Sequence, residues 1–147
     1  IILREDFDIN ILTEYDDNMM SLFEVLFFYG LYDILKILFE REDIFNLIQY
    51  FGCDYFCFIL FQSSEITSYI SKYHWFLELI DEIDVNRALD NGNTIFHTIC
   101  GYDNKVAYDL LKNKHKFDKT ICNNNQQTPL SLNDNGDIYY DLFCKNL

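Results

Sequence analysis

The stretch DNGNTIFHTICGYDNKVAYDLL, residues 90–111, decides the fold. After a polar tetrad it places Ile95, Phe96, Ile99 and Cys100 at the i, i+1, i+4, i+5 spacing of one helix face. It breaks at GYDN, residues 101–104, and resumes the same spacing with Val106, Ala107, Leu110 and Leu111. Two short helices joined by a tight polar turn follow from this pattern. The polar residues have a structural account. Gly92 tolerates the positive φ of a tight turn, Thr94 is a helix N-cap acceptor, and His97 is spaced to bond back to Thr94 in the manner of a capping box. His97 and Cys100, three residues apart, also allow a second account, as half a metal site or a Cys/His nucleophile pair. Capping uses every polar residue of the motif and is the account adopted.

The arrangement recurs. In SLFEVLFFYGLYDILKILFE, residues 21–40, Phe23, Leu26 and Phe27 share a face, Gly30 interrupts, and Ile34, Leu35, Leu38 and Phe39 form a second stripe. In QTPLSLNDNGDIYYDLF, residues 127–143, Pro129, Leu130 and Leu132 precede NDNGD and then Ile138, Tyr139, Leu142 and Phe143. Thr94 and Thr128 stand 34 residues apart. Helix pairs at that period, each unable to bury both faces alone, predict an all-α fold. The expected form is a short solenoid of stacked antiparallel helix pairs, with no sheet beyond short turn hairpins.

These units resemble the ankyrin repeat, a unit of about 33 residues in which a β-turn precedes two antiparallel helices opened by T-P-L-H-x-A. In DVNRALDNGNTIFHTIC, Asp84, Val85, Asn86, Gly92, Thr94, Phe96 and His97 fall on matching positions. TPL at 128–130 opens another unit, and FEVLFFYGLYDILKILF at 23–39 fits the family's register as a third. The resemblance implies one ankyrin-like domain over 1–147 with three to four repeats, at about 20–50, 54–83, 90–122 and 124–147. The second of these is expanded by several residues. It also implies that Gly92, Thr94, His97, Thr128 and Pro129 are structural capping residues. Departures mark a divergent member: Ile95 replaces the usual proline, Ser131 replaces the second histidine, and the family's paired alanines become Leu26/Phe27, Ile99/Cys100 and Asn133/Asp134.

Composition narrows the function classes. The longest apolar run, YFCFILF at 55–61, is far below the ~20 residues that span a bilayer, so neither a membrane helix nor a membrane partner is expected. No signal peptide is visible after Ile1. Five irregularly spaced cysteines favour reduced thiols and an intracellular address, cytoplasmic rather than nuclear. The net charge of −13 is concentrated in residues 1–100, with 18 acidic against 5 basic residues, while residues 101–147 carry six of each. Nucleic-acid binding needs a basic surface, and only KNKHKFDK at 112–119 offers one; cations near the last carbonyls of a helix explain that run.

No phosphate loop, nucleophile elbow, HExxH or paired-carboxylate motif is present, and SLNDNGDIYYDL at 131–142 lacks the terminal acid of an EF-hand. The expectation is no catalytic residue, no metal, no cofactor and no small-molecule substrate. The resemblance implies a non-catalytic protein-interaction module, an adaptor, scaffold or subunit of a larger assembly, whose acidic, aromatic-rich surface meets a basic protein partner. Candidate contacts are Glu40, Glu42, Asp43 and Trp75. Trp75 has a second account, as part of an amphipathic helix burying Phe76, Leu79, Ile80 and Ile83. Residue usage is rich in Phe, Tyr, Ile, Asn and Lys and poor in Gly, Ala, Pro and Arg, as in AT-rich genomes. This suggests a narrower alternative, a virus or parasite ankyrin protein blocking a host protein's binding groove. The alternative of a different class is a Cys/His-dependent enzyme on a helical scaffold.

Overall fold

A computed structural model describes residues 12–15, 18–40 and 52–133. The chain forms two compact units, Ile1–Gly52 and Cys53–Leu147. Among the described residues there are seven α-helices and one 3-10 helix. The sole sheet among them is an antiparallel hairpin of β1 (Leu12–Tyr15) and β2 (Asn18–Ser21), with Leu12 opposite Ser21 and Tyr15 opposite Asn18. The chain is therefore helical in its body, and the hairpin is an element that the apolar periodicity did not announce.

In the first unit β2 runs directly into α1 (Leu22–Phe28), which packs against α2 (Tyr32–Phe39). The turn between them is made by Gly30, whose φ of +69° glycine takes without strain. There the Leu31 N–H donates to the Leu26 carbonyl at 2.9 Å and the Gly30 N–H to the Phe27 carbonyl at 3.1 Å, the paired bonds of a helix that ends on a left-handed residue. Leu26 and Phe27 of α1 and Leu35, Leu38 and Phe39 of α2 are buried. Each such side chain contributes roughly 1.5–3 kcal/mol.

The second unit contains α3 (Cys53–Leu60), α4 (Ser64–Ile70), α5 (His74–Glu82), α6 (Ile95–Gly101), α7 (Lys105–Leu111) and a 3-10 helix, Pro129–Leu132. Like packs on like: α3 meets α6 and α6 meets the 3-10 helix, while α4 meets α7. The additional helix α5 leans on α3, and its stripe of Phe76, Leu79 and Ile80 is buried. Phe61 and Phe76 meet edge to face with centroids 6.2 Å apart. Farther along, Phe96 stacks on Phe117 at 4.5 Å, and Tyr108 lies nearly parallel to both. Such ring pairs add about 0.5–1.5 kcal/mol beyond their buried area.

The turn between α6 and α7 repeats that between α1 and α2. Asp103, at φ +54°, takes the place of Gly30, and the Asn104 N–H donates to the Ile99 carbonyl at 2.9 Å. The loops leading into α6 and into the 3-10 helix also repeat, 34 residues apart. Leu89 N–H donates to the Asn93 carbonyl in one and Asn123 N–H to the Gln127 carbonyl in the other; Gly92 N–H bonds Leu89 and Gln126 N–H bonds Asn123. Gly92 and Gln126 both take positive φ, +80° and +62°.

Candidate functional site

The polar residues of the second unit form a seam along these loops. Thr94 is the N-cap of α6: its hydroxyl accepts from the His97 N–H at 3.4 Å, and His97 Nδ1 accepts from the Thr94 N–H at 3.0 Å. With Nδ1 an acceptor, Nε2 carries the proton and donates to the Gln127 carbonyl at 2.9 Å. His97 is 1% exposed. Burial holds its pKa below the usual 6.5, and the Gln127 carbonyl pulls weakly the other way. A neutral imidazole with both nitrogens engaged is a strut between two loops.

Gly92 touches the same seam. A Cβ there would lie 2.7 Å from both the backbone nitrogen and Oδ1 of Asn124, so glycine is required by space as well as by φ. Asn124 N–H donates to the Asn91 carbonyl, Asn124 Nδ2 to the Asp90 carbonyl, and Asn123 Nδ2 to Asn93 Oδ1. Pro129 is buried at the start of the 3-10 helix, where its missing N–H costs nothing. Thr128 departs from the capping expectation, because its side chain makes no cap bond. Position 131, where His97 has its counterpart, is Ser131, whose hydroxyl bonds the Thr128 carbonyl at 2.7 Å instead. No reciprocal box can form with so short a side chain.

Residues to which the sequence reading gave no bonding role carry equal weight. Asn104, fully buried, N-caps α7 by accepting from the Ala107 N–H at 3.0 Å. Its Nδ2 donates to the Phe61 carbonyl at 2.9 Å and to the Thr67 hydroxyl at 3.0 Å, tying α7 to the end of α3 and to α4. Asn86 Nδ2 donates to the Lys116 carbonyl while its Oδ1 accepts from the Asp118 N–H. Asn133 Nδ2 reaches the Cys100 carbonyl and the Asp103 carboxylate. Asx-rich turns are the available signal, since such side chains bond nearby backbone; their distant partners leave no trace in local spacing.

Cys100 is buried beside this seam, and burial, then the nearby Asp103 charge, pushes its thiol far above the ordinary range. Cys57 is also buried, whereas Cys122 is exposed. Among the described residues no group of three or more His, Cys, Asp or Glu side chains is placed to hold a metal.

The candidate partner contacts lie apart from the seam. Glu40 is exposed at the end of α2 in the first unit. Glu42 and Asp43 lie outside the described residues. Trp75 is half-buried on α5 of the second unit, stacked on Tyr73 at 5.9 Å and edge-on to the buried Phe76 at 6.0 Å. Part of its ring serves packing and part faces solvent. Tyr29 and Tyr102, each immediately before a left-handed turn residue, are exposed, as is Phe28 at 73%. In the lysine run, Lys112 pairs with Asp109 at 3.2 Å and Lys114 with Asp81 at 2.6 Å. No helix among the described residues is long and apolar enough to cross a membrane.

No protein-family model, curated protein or solved structure matches the chain.

Proposed function

We propose that the chain is a divergent ankyrin-type repeat protein acting as a non-catalytic interaction module, an adaptor, scaffold or assembly subunit that docks a basic protein partner. The observation that carries this reading is the recurrence, at 34 residues, of a hydrogen-bonded loop leading into a helix that packs on its own counterpart. The chemistry of the seam supports the non-catalytic part: both ring nitrogens of His97 are committed to the fold, and Cys100 is buried with a disfavoured thiolate. The net charge of −13 and the exposed turn-tip aromatics Tyr29 and Tyr102 support a basic partner met through charge and rings.

The test is capture of the partner by the native full chain, followed by association rates at ~50 to 300 mM salt, a range over which screening changes strongly. Reversing Glu40, Glu42 and Asp43 to lysine slows association and flattens its salt dependence. Neutralising Lys112, Lys114 and Lys116 changes it little. A rate indifferent to both salt and the triple reversal refutes the charge-guided reading.

A further inference from the structure

Where α4 ends and α5 begins, two tyrosines close around a lysine of the same chain. Tyr69 lies in the last turn of α4 and Tyr73 is the extended residue that precedes α5, with ring centroids separated by 5.9 Å, planes inclined at 67° and hydroxyls 3.3 Å from each other. The turn at Ser71 and Lys72, held by the Tyr73 N–H bond to the Ile70 carbonyl, folds Lys72 back into the corner. Lys72 Nζ lies 4.0 Å from the Tyr69 centroid and 5.1 Å from that of Tyr73. Both distances fall within the ~6 Å over which a ring face attracts a cation. Trp75, stacked on Tyr73, extends the aromatic wall.

Three features argue that this corner is a place for an ammonium group rather than one fixed ion contact. Two crossed ring faces present negative potential to the same point, the complement of a compact cation. Lys72 is exposed, and a solvated cation–π contact holds it by a factor of only about 2 to 5, so it leaves readily. The field around the corner favours another cation over an anion, because residues 53–100 of the same unit hold seven acidic side chains against two basic ones, Lys72 included, and Glu65 lies one turn before Tyr69 on α4.

We infer that Tyr69 and Tyr73 form an exchangeable ammonium site, occupied by Lys72 in the free protein and given over to a lysine side chain of the docked partner. The inference rests on the proposed binding of a basic protein and names where on this chain one of its cations sits. Lys72 then acts as a competitor: it shields the rings from water until a partner lysine replaces it.

The experiment uses the full chain with tetramethylammonium as probe and neopentyl alcohol as its neutral isostere, reading the upfield ring-current shift of the probe methyl protons by NMR. Lys72→Gln, at an exposed position, should raise tetramethylammonium affinity by a factor of about 2 to 5, the worth of the displaced contact. Adding Tyr69→Leu to that variant should abolish the gain, and neopentyl alcohol should bind wild type and Lys72→Gln alike. The site is overturned if Lys72→Gln binds the cation no better than wild type, if the neutral probe gains equally, or if the gain survives Tyr69→Leu. Because the probe is a small ion, these outcomes are read independently of whether capture experiments yield a basic protein.

Discussion

Truncating Asn104 to alanine tests whether the second unit is held together by its buried polar seam. The substitution removes the acceptor for the Ala107 N–H, an N-cap loss of about 1 kcal/mol. It also strips the buried Phe61 carbonyl of its Asn104 donor, a desolvation cost of about 1–3 kcal/mol. The Thr67 hydroxyl keeps its own donation to the Ser63 carbonyl at 2.8 Å, so its loss is secondary. The total expected for Asn104→Ala is about 3 kcal/mol, a large share of the 5–15 kcal/mol that holds a typical domain. Urea unfolding followed by the fluorescence of Trp75, the single tryptophan, reads this unit directly. Asn104→Ser retains a cap acceptor but cannot reach Phe61, and should recover about 1 kcal/mol of the loss. A cost below about 1 kcal/mol for Asn104→Ala, the size of a cap alone, would refute the bridge between helix pairs.

His97→Ala should cost about 1–2 kcal/mol, through the lost box and the lost bond to the Gln127 carbonyl, which keeps the Asn123 N–H as a donor. Because burial lowers the folded pKa of His97 below 6.5, the unfolded chain takes up the proton first as pH falls. Its stabilising contribution is therefore complete above pH 6.5 and drains away below it, and urea midpoints of His97→Gln should show a flatter decline than wild type from about pH 7 to 5. Gly92→Ala should cost at least about 2 kcal/mol in the same unfolding assay, since both its φ of +80° and the 2.7 Å approach of Asn124 forbid a side chain. At the counterpart position Gln126→Gly should be neutral or stabilising by up to about 1 kcal/mol, because it relieves a left-handed side chain at φ +62°.

What the sequence disclosed and what it withheld separate by range of interaction. The apolar spacing of Ile95 to Leu111 and of Leu26 to Phe39 is local, and helices stand at both places. The Thr94–His97 box spans three residues and is equally local. The other end of the His97 strut, Gln127, is 30 residues away, and no spacing rule reaches it. Asn104 sat in the polar turn GYDN with no role assigned to it, yet it is fully buried and bonds the preceding helix pair. Left-handed turns were legible at Gly30 and Gly92, where glycine advertises them, and hidden at Asp103 and Gln126. Helix α5 was legible as an amphipathic stripe, but nothing local told that it is an extra element following a complete pair.

Helix α5 also bears on how such a chain can change length over generations. The seam between residues 84–93 and 116–124 works as a ruler: Asn86 meets Lys116 and Asp118, Asp90 meets Asn124, and Asn93 meets Asn123, so a residue gained or lost inside either segment would slide later partners out of reach. Residues inserted between Ile70 and His74 fall after α4 and before that ruler begins, whereas within α5 the buried stripe and the bond from Lys114 to Asp81 fix the spacing. Insertions and deletions should accordingly accumulate in the turn between α4 and α5 and be purged from the loops, so that relatives of this chain, aligned on their asparagines, would agree in the spacing of the loops and vary in that turn.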